Sequence, residues 1–139
     1  MKPLKFLVFV FSFLTVSHVQ GQELRQFSTF DDLRSSLFLK NDTTYVINFW
    51  ASWCKPCVNE LPFFENFNTS NQGQKIKVIL VSLDFKKQIE SHLKPFLKKR
   101  NLTSEVVLLN DKSYDQWLSK VDKGWAGSIP ATLLIHGNR

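Results

Sequence analysis

The stretch Trp53-Cys54-Lys55-Pro56-Cys57 contains both cysteines of the 139-residue chain. Two cysteines separated by two residues can serve as a redox pair, as half of a zinc site or as a small structural disulfide. A zinc site needs four ligands, and the two histidines beyond residue 21 are not spaced like a partner pair. A disulfide that closes so short a loop restricts the unfolded chain little. The redox pair is therefore favoured, with the structural disulfide as the main alternative.

The flanking residues place this pair at the junction of a strand and a helix. Residues 44–50 are a β-branched and aromatic run, which is typical of a buried strand. A helical pattern begins around Pro56, because the first helical turn tolerates proline. Cys54 then lies at the helix N-terminus, where free N–H groups and the helix dipole stabilise a thiolate, and Lys55 adds a positive charge. The sequence thus predicts Cys54 as the nucleophile and Cys57 as the resolving thiol.

Strands and helices alternate along the rest of the chain. The residue pattern predicts strands at 23–27, 44–50, 76–83, 106–109 and 131–135, and helices from Ser28 or Thr29 to about 38, then at 55–68, 86–100 (interrupted at Pro95) and 114–121. The expected core-facing stripe of helix 55–68 consists of Leu61, Phe64 and Phe67. This alternation predicts a three-layer α/β sandwich.

Three segments resemble the thioredoxin superfamily. Residues 49–57, ending in Cys57, are similar to the family's active-site segment, and Pro62 matches the proline of its active-site helix. Residues 127–132 resemble its cis-proline loop. Asn48 and Glu60 are similar to residues of the exported, membrane-tethered or periplasmic (TlpA/ResA-like) subgroup. The resemblance implies a thioredoxin-like three-layer sandwich with a central mixed sheet.

The resemblance also implies a thiol–disulfide oxidoreductase of the protein-disulfide reductase type, with Cys54 and Cys57 as its catalytic pair. Asn48 stands where thioredoxins carry a buried aspartate, and its amide cannot accept the proton of the resolving cysteine. Glu60, one turn beyond Cys57, is therefore a third candidate catalytic residue, and a surface glutamate is the alternative. A cis Ile129–Pro130 bond would expose the backbone for pairing with a partner strand. The expected substrate-binding residues are Trp53, Pro56, Ile129 and Pro130.

The implied partners are cysteine-containing proteins together with a thiol electron donor or acceptor. Cytochrome maturation is one family-level setting for such a protein. No metal or organic cofactor is implied. The formal net charge of +6 falls by two without Lys2 and Lys5, which gives little reason to invoke nucleic acid.

The first 21 residues read as a secretory signal peptide. Lys2 and Lys5 form a positive start, residues 4–16 are mostly apolar, and residues 19–21 suit a cleavage site. An uncleaved anchor is the alternative, and it is the only membrane contact that the sequence suggests. The domain at 22–139 is therefore expected to be exported, to the periplasm or another extracytoplasmic compartment. An uncleaved leader would tether it to the membrane.

The end of the chain departs from the family pattern. In the superfamily, the strand after the cis-proline loop is followed by a hairpin turn, another strand and a closing helix. Residues 136–138 fit the turn, so the thioredoxin-like domain is expected to be C-terminally incomplete. This leaves an alternative function, a redox-inactive or non-functional truncated binding module that keeps the groove.

Overall fold

The structure is a computed structural model that describes residues 23–37 and 41–137. The strands in this part of the chain are β1 (Arg25–Phe27), β2 (Thr44–Trp50), β3 (Ile76–Ser82), β4 (Glu105–Leu109) and β5 (Ala131–His136). The α-helices are α1 (Phe30–Leu37), α2 (Lys55–Ser70), α3 (Lys94–Arg100) and α4 (Tyr114–Val121). The predicted leader lies outside the described residues.

The strands form one mixed sheet in the order β1-β4-β3-β2-β5. β1, β4, β3 and β2 pair in parallel, whereas β5 runs antiparallel to β2. Trp50 at the end of β2 pairs with Ser82 at the end of β3, and Ala131 at the start of β5 lies opposite Phe49. The chain that follows β2, the chain that follows β3 and the chain that precedes β5 therefore meet at one end of the sheet.

Helices cover both faces of the sheet, which confirms the predicted three layers. On one face, α2 contributes Leu61 to a core with Val78 and Leu80 of β3, and Leu93, just before α3, joins them. On the other face, the helices α1 and α4 pack on the alternate strand residues, and the buried members of this core include Phe30, Leu33, Ile47, Phe49, Ile79, Val81 and Trp117. Because β2 and β3 are buried on both sides, their sequences are nearly continuous apolar runs.

The predicted elements agree closely with the observed ones, with local exceptions. β2 and α4 have the predicted bounds, and α2 continues to Ser70. The N-terminus of α1 is capped by Thr29, whose hydroxyl accepts the Asp32 N–H at 3.1 Å. The prediction that Phe67 faces the core is wrong, because its side chain is 42% exposed. Leu61 is buried and Phe64 is half-buried against the same core, so burial along the predicted stripe decreases toward the end of α2.

The helical region predicted at 86–100 is divided into three parts. A 3₁₀ turn (Lys86–Gln88) and a π-helical turn (Ile89–Leu93) lead into α3. Pro95 lies in the first turn of α3, directly after the π-helical turn, and because proline has no N–H it cannot donate to a carbonyl of that turn. The predicted interruption at Pro95 is therefore confirmed as a change of helix type just before it.

Aromatic side chains hold the α4 side of the sheet together. Trp117 is 1% exposed and stacks on Phe30, with ring centroids 5.4 Å apart. Trp125 packs edge-on against Trp117 at 5.9 Å and lies 4.9 Å from the Phe49 ring. Its indole N–H donates to the Ser128 carbonyl at 2.8 Å, so Trp125 packs the loop before β5.

Candidate active site

The two cysteines lie at the junction between β2 and α2. A tight turn follows β2, in which the Cys54 N–H donates to the Ala51 carbonyl at 3.1 Å. Cys54 is the N-cap of α2 and has extended backbone angles, and Pro56 lies in the first turn. The strand-to-helix placement predicted from the sequence is therefore confirmed.

Cys54 and Cys57 form a disulfide with an S–S distance of 2.06 Å. The Cys57 N–H donates to the Cys54 sulfur at 3.3 Å, so the first turn of the helix directs a donor at this atom. Cys57 is fully buried, whereas Cys54 is 7% exposed. Both the donor and the helix N-terminus would stabilise negative charge on Cys54 after reduction.

The loop before β5 lies against the cysteine pair. The Ile129–Pro130 peptide bond is cis, as predicted. The Ile129 carbonyl oxygen is 3.9 Å from the Cys54 sulfur. Gly127 has φ +86°, and a Cβ built there would meet a Leu118 methyl at 3.0 Å, so a larger residue would be disfavoured by both backbone and packing. The structure thus brings Ile129 and Pro130 to the cysteines across 75 residues of chain.

An exposed aromatic pair borders the disulfide. The Trp53 side chain is 52% exposed, and that of Phe85 is 51% exposed. Their rings stack with centroids 6.2 Å apart and planes 15° apart. Pro56 is also exposed. Apolar surface of this kind beside a reactive group is typical of interaction sites. Phe85 was not predicted, because its place beside Trp53 depends on the pairing of β2 with β3.

Asn48 and Glu60 have different surroundings. Asn48 is 1% exposed, and its amide nitrogen lies 3.2 Å from the Thr132 hydroxyl and 3.4 Å from the Ala131 carbonyl. Its side-chain oxygen has no hydrogen-bond partner within the described chain. Glu60 is half-buried on α2, and its side chain forms no hydrogen bond or ion pair with the residues at 23–37 and 41–137. The structure therefore places Asn48 against the start of β5, and within the described residues it gives Glu60 no polar partner.

Sequence reasoning missed a buried carboxylate next to this turn. Asp84, two residues after the end of β3, is 2% exposed. It accepts hydrogen bonds from the Ser52 N–H at 2.9 Å, the Ser52 hydroxyl at 2.5 Å and the Ser82 hydroxyl at 2.8 Å. An acidic residue at the end of a buried parallel strand was the available signal, because such residues collect at one edge of the sheet.

A mixed sheet covered on both faces, with a Cys-x-x-Cys disulfide opening the helix after a central strand, defines a thioredoxin-like protein. The sequence pattern of the AhpC/TSA family matches residues 21–139, and the chain belongs to this family.

Related proteins have names that refer to disulfide chemistry. The chain is 35% identical over 63 residues to sporulation thiol-disulfide oxidoreductase A of Bacillus subtilis. The matched segment covers 45% of this chain and 38% of the relative. It is also 30% identical over 92 residues to the thiol-disulfide oxidoreductase ResA of Geobacillus thermodenitrificans, and this match covers 66% of this chain and 48% of the relative. The chain thus spans about half the length of the curated relatives that it matches.

The fold is similar to solved structures as well. The crystal structure of StoA from Bacillus subtilis matches with a TM-score of 0.52 and 26% identity, over 70% of this chain and 69% of that one. A DsbF homologue from Corynebacterium diphtheriae matches with a TM-score of 0.56 and 23% identity, over 71% and 59% respectively, and supports the fold alone. Among the described residues, no helix is long and apolar enough to cross a membrane.

Proposed function

We propose that this chain is a thiol–disulfide oxidoreductase that exchanges disulfides with partner proteins through Cys54 and Cys57. The observation that carries the proposal is the asymmetry of the pair. Cys54 caps α2 and remains 7% exposed, whereas Cys57 is fully buried one turn into the helix. A nucleophile must reach its substrate, and a resolving thiol needs only to reach the nucleophile.

The reaction conserves electrons in two exchange steps. In the reduced protein, the Cys54 thiolate attacks one sulfur of a partner disulfide, forming a mixed disulfide and releasing the other partner sulfur as a thiolate. Cys57, as a thiolate, then attacks the Cys54 sulfur and releases the remaining partner thiolate. The partner gains two electrons and, after protonation, carries two thiols, while Cys54 and Cys57 become the disulfide seen in the structure. A thiol donor reverses these steps to regenerate the dithiol.

The loop at Ile129 and Pro130 supports a role in substrate binding. The Ile129 carbonyl lies 3.9 Å from the Cys54 sulfur, so a partner chain crossing the disulfide would contact this backbone. Trp53 and Pro56, which flank Cys54 in the sequence, are exposed and offer apolar surface to the same chain. These four residues form the proposed docking site.

Glu60 and the leader complete the proposed function. Glu60 is three residues beyond Cys57 on the same helix, and a side chain without a polar partner in the described structure is available to exchange a proton with the pair. The predicted signal peptide at 1–21 supports an exported, extracytoplasmic location. Thiol–disulfide exchange between protein sulfurs requires no metal or organic cofactor.

Reduction of insulin disulfides by the full chain, with a small thiol as donor, tests the proposal. We expect turnover by the wild type and none by Cys54→Ser. Reduced Cys57→Ser, mixed with insulin in the absence of the small thiol, should instead accumulate a mixed disulfide, detectable as a shift on a non-reducing gel and reversed by excess thiol. Absence of turnover in the wild type, or trapping by Cys54→Ser in place of Cys57→Ser, would contradict the proposal and favour the redox-inactive binding module.

A further inference from the structure

We propose that Asp84 is a positioning residue for the redox pair, acting through Ser52 on the turn that presents Cys54. This inference rests on the proposed function and deepens it. Asp84 lies after β3, outside the Cys-x-x-Cys segment and outside the loop at Pro130, and the exchange steps do not use it.

The Asp84 carboxylate accepts three hydrogen bonds. One oxygen accepts from the Ser52 N–H at 2.9 Å and from the Ser82 hydroxyl at 2.8 Å, and the other accepts from the Ser52 hydroxyl at 2.5 Å. A carboxylate that is 2% exposed is costly unless its oxygens are hydrogen-bonded. Two of these three bonds go to a single residue of the turn before Cys54, so the polar contacts of Asp84 are mainly directed at that turn.

Neighbouring residues extend this contact in both directions. The Leu83 N–H donates to the Trp50 carbonyl at 2.8 Å, and the Phe85 ring stacks on Trp53 with centroids 6.2 Å apart. Residues 83–85 therefore contact the chain from 50 to 53 at successive positions, first through the backbone, then through the carboxylate and then through an aromatic ring. Asp84 supplies the only charged group in this set.

The effect of this contact depends on the redox state. In the disulfide form, Cys54 is also held by its covalent bond to Cys57. In the dithiol form that bond is absent, and the turn, whose Cys54 N–H donates to the Ala51 carbonyl at 3.1 Å, must hold the sulfur near Cys57. Loosening the turn frees the dithiol more than the disulfide, because only the disulfide retains the second tether. The dithiol then becomes relatively more favourable.

Two serines bound to the same carboxylate provide a matched pair of variants. Ser52→Ala removes a hydroxyl on the turn and keeps the buried charge of Asp84. Ser82→Ala removes a hydroxyl on β3, which does not belong to the turn. Ser52→Thr keeps the hydroxyl and serves as the conservative rescue. Asp84→Asn is a second test of the same contact, although it also removes a negative charge and thereby favours a nearby thiolate.

The experiment equilibrates the full chain with glutathione buffers, in which two glutathione thiols reduce the disulfide and become one glutathione disulfide. The dithiol fraction is read by alkylation and mass spectrometry. We expect Ser52→Ala to shift the equilibrium constant toward the dithiol by about threefold to tenfold, roughly 15–30 mV, and Asp84→Asn to shift it in the same direction. Ser82→Ala and Ser52→Thr should keep the wild-type constant, even if Ser82→Ala lowers the melting temperature.

An unchanged constant in Ser52→Ala would overturn the inference, as would an equal shift in Ser82→Ala, since the effect would then follow general loosening of the core. These outcomes are distinct from failure of the proposed function. If neither glutathione nor dithiothreitol reduced the wild-type disulfide in the folded protein, both proposals would fall. If it equilibrates and only the serine variants fail to differ, only the role of Asp84 falls.

Discussion

Replacing Glu65 with glutamine is expected to weaken the attachment of α2, the helix that begins at the cysteine pair, to the loop before β4. The Glu65 carboxylate accepts the Thr103 N–H at 2.5 Å, the Thr103 hydroxyl at 2.7 Å and the Ser104 N–H at 3.1 Å. Glutamine keeps one acceptor oxygen and replaces the other with a donor. Even if the glutamine oxygen takes the place of Oε2 and keeps both Thr103 donors, the Ser104 N–H retains only its longer contact of 3.3 Å to that oxygen and faces an amide NH2 in place of Oε1.

The expected loss in the free energy of unfolding follows from the number and exposure of these hydrogen bonds. A hydrogen bond to a charged group contributes about 1.5–3 kcal/mol when it is buried. The Glu65 side chain is only partly buried, so competition with water reduces each contribution, as it does for exposed ion pairs. We therefore expect Glu65→Gln to lower the free energy of unfolding by about 1–2 kcal/mol at neutral pH, which urea titration resolves.

The lowered pKa of Glu65 determines how the stability difference between wild type and Glu65→Gln changes with pH. Burial by itself raises the pKa of Glu65, but the hydrogen bonds from Ser104 and Thr103 outweigh it and hold the pKa below its ordinary value of 4.5. A carboxyl with a lowered pKa in the folded state stabilises the fold above its unfolded pKa, and this contribution is lost as the pH falls through the folded pKa. The difference between wild type and Glu65→Gln should therefore be full at neutral pH and shrink below pH 4.5.

Glu60→Gln is the matched control, since Glu60 lies on the same helix and its side chain has no polar partner in the described structure. Its free energy of unfolding should equal that of the wild type at neutral pH, within about 0.5 kcal/mol. Equal stability of Glu65→Gln and Glu60→Gln at neutral pH would refute the stabilising role of the Glu65 carboxylate. A stability deficit of Glu65→Gln that persists unchanged in acid would refute it as well.

Three further predictions concern the site and its support. Below neutral pH, a Cys54-only variant should react with iodoacetamide at least about tenfold faster than a Cys57-only variant, because only Cys54 is at the helix N-terminus and near the surface; equal rates would reverse or remove the assigned roles. Trp117→Ala should lower the free energy of unfolding by about 3–5 kcal/mol in urea, whereas Tyr114→Ala, whose side chain is 47% exposed, should cost far less. Trp53→Ala should slow reduction of insulin more than reduction of a small aromatic disulfide, and equal losses would argue against a docking surface there.

Much of the scaffold could be predicted because its signals are local. The run at 44–50 became β2 with the same bounds, since a β-branched and aromatic segment buried on both faces has few alternatives. The proline after Cys54 indicated the start of α2. Phe67 shows the limit of this reasoning, because helical spacing gives the face of a helix and not how far the core extends beneath it.

The same distinction between local sequence signals and long-range contacts applies to the candidate site. The sequence by itself determined that two cysteines lie at a strand-to-helix junction, with Cys54 at the cap, because that chemistry is contained in five consecutive residues and their flanks. Only the tertiary structure decided that Asp84 bonds to Ser52, that Phe85 stacks on Trp53 and that Glu60 has no polar partner in the described chain. The first two contacts arise because parallel pairing of β2 with β3 brings the ends of both strands together. Strand pairing joins residues about 30 positions apart through backbone hydrogen bonds, which carry no local mark in the sequence.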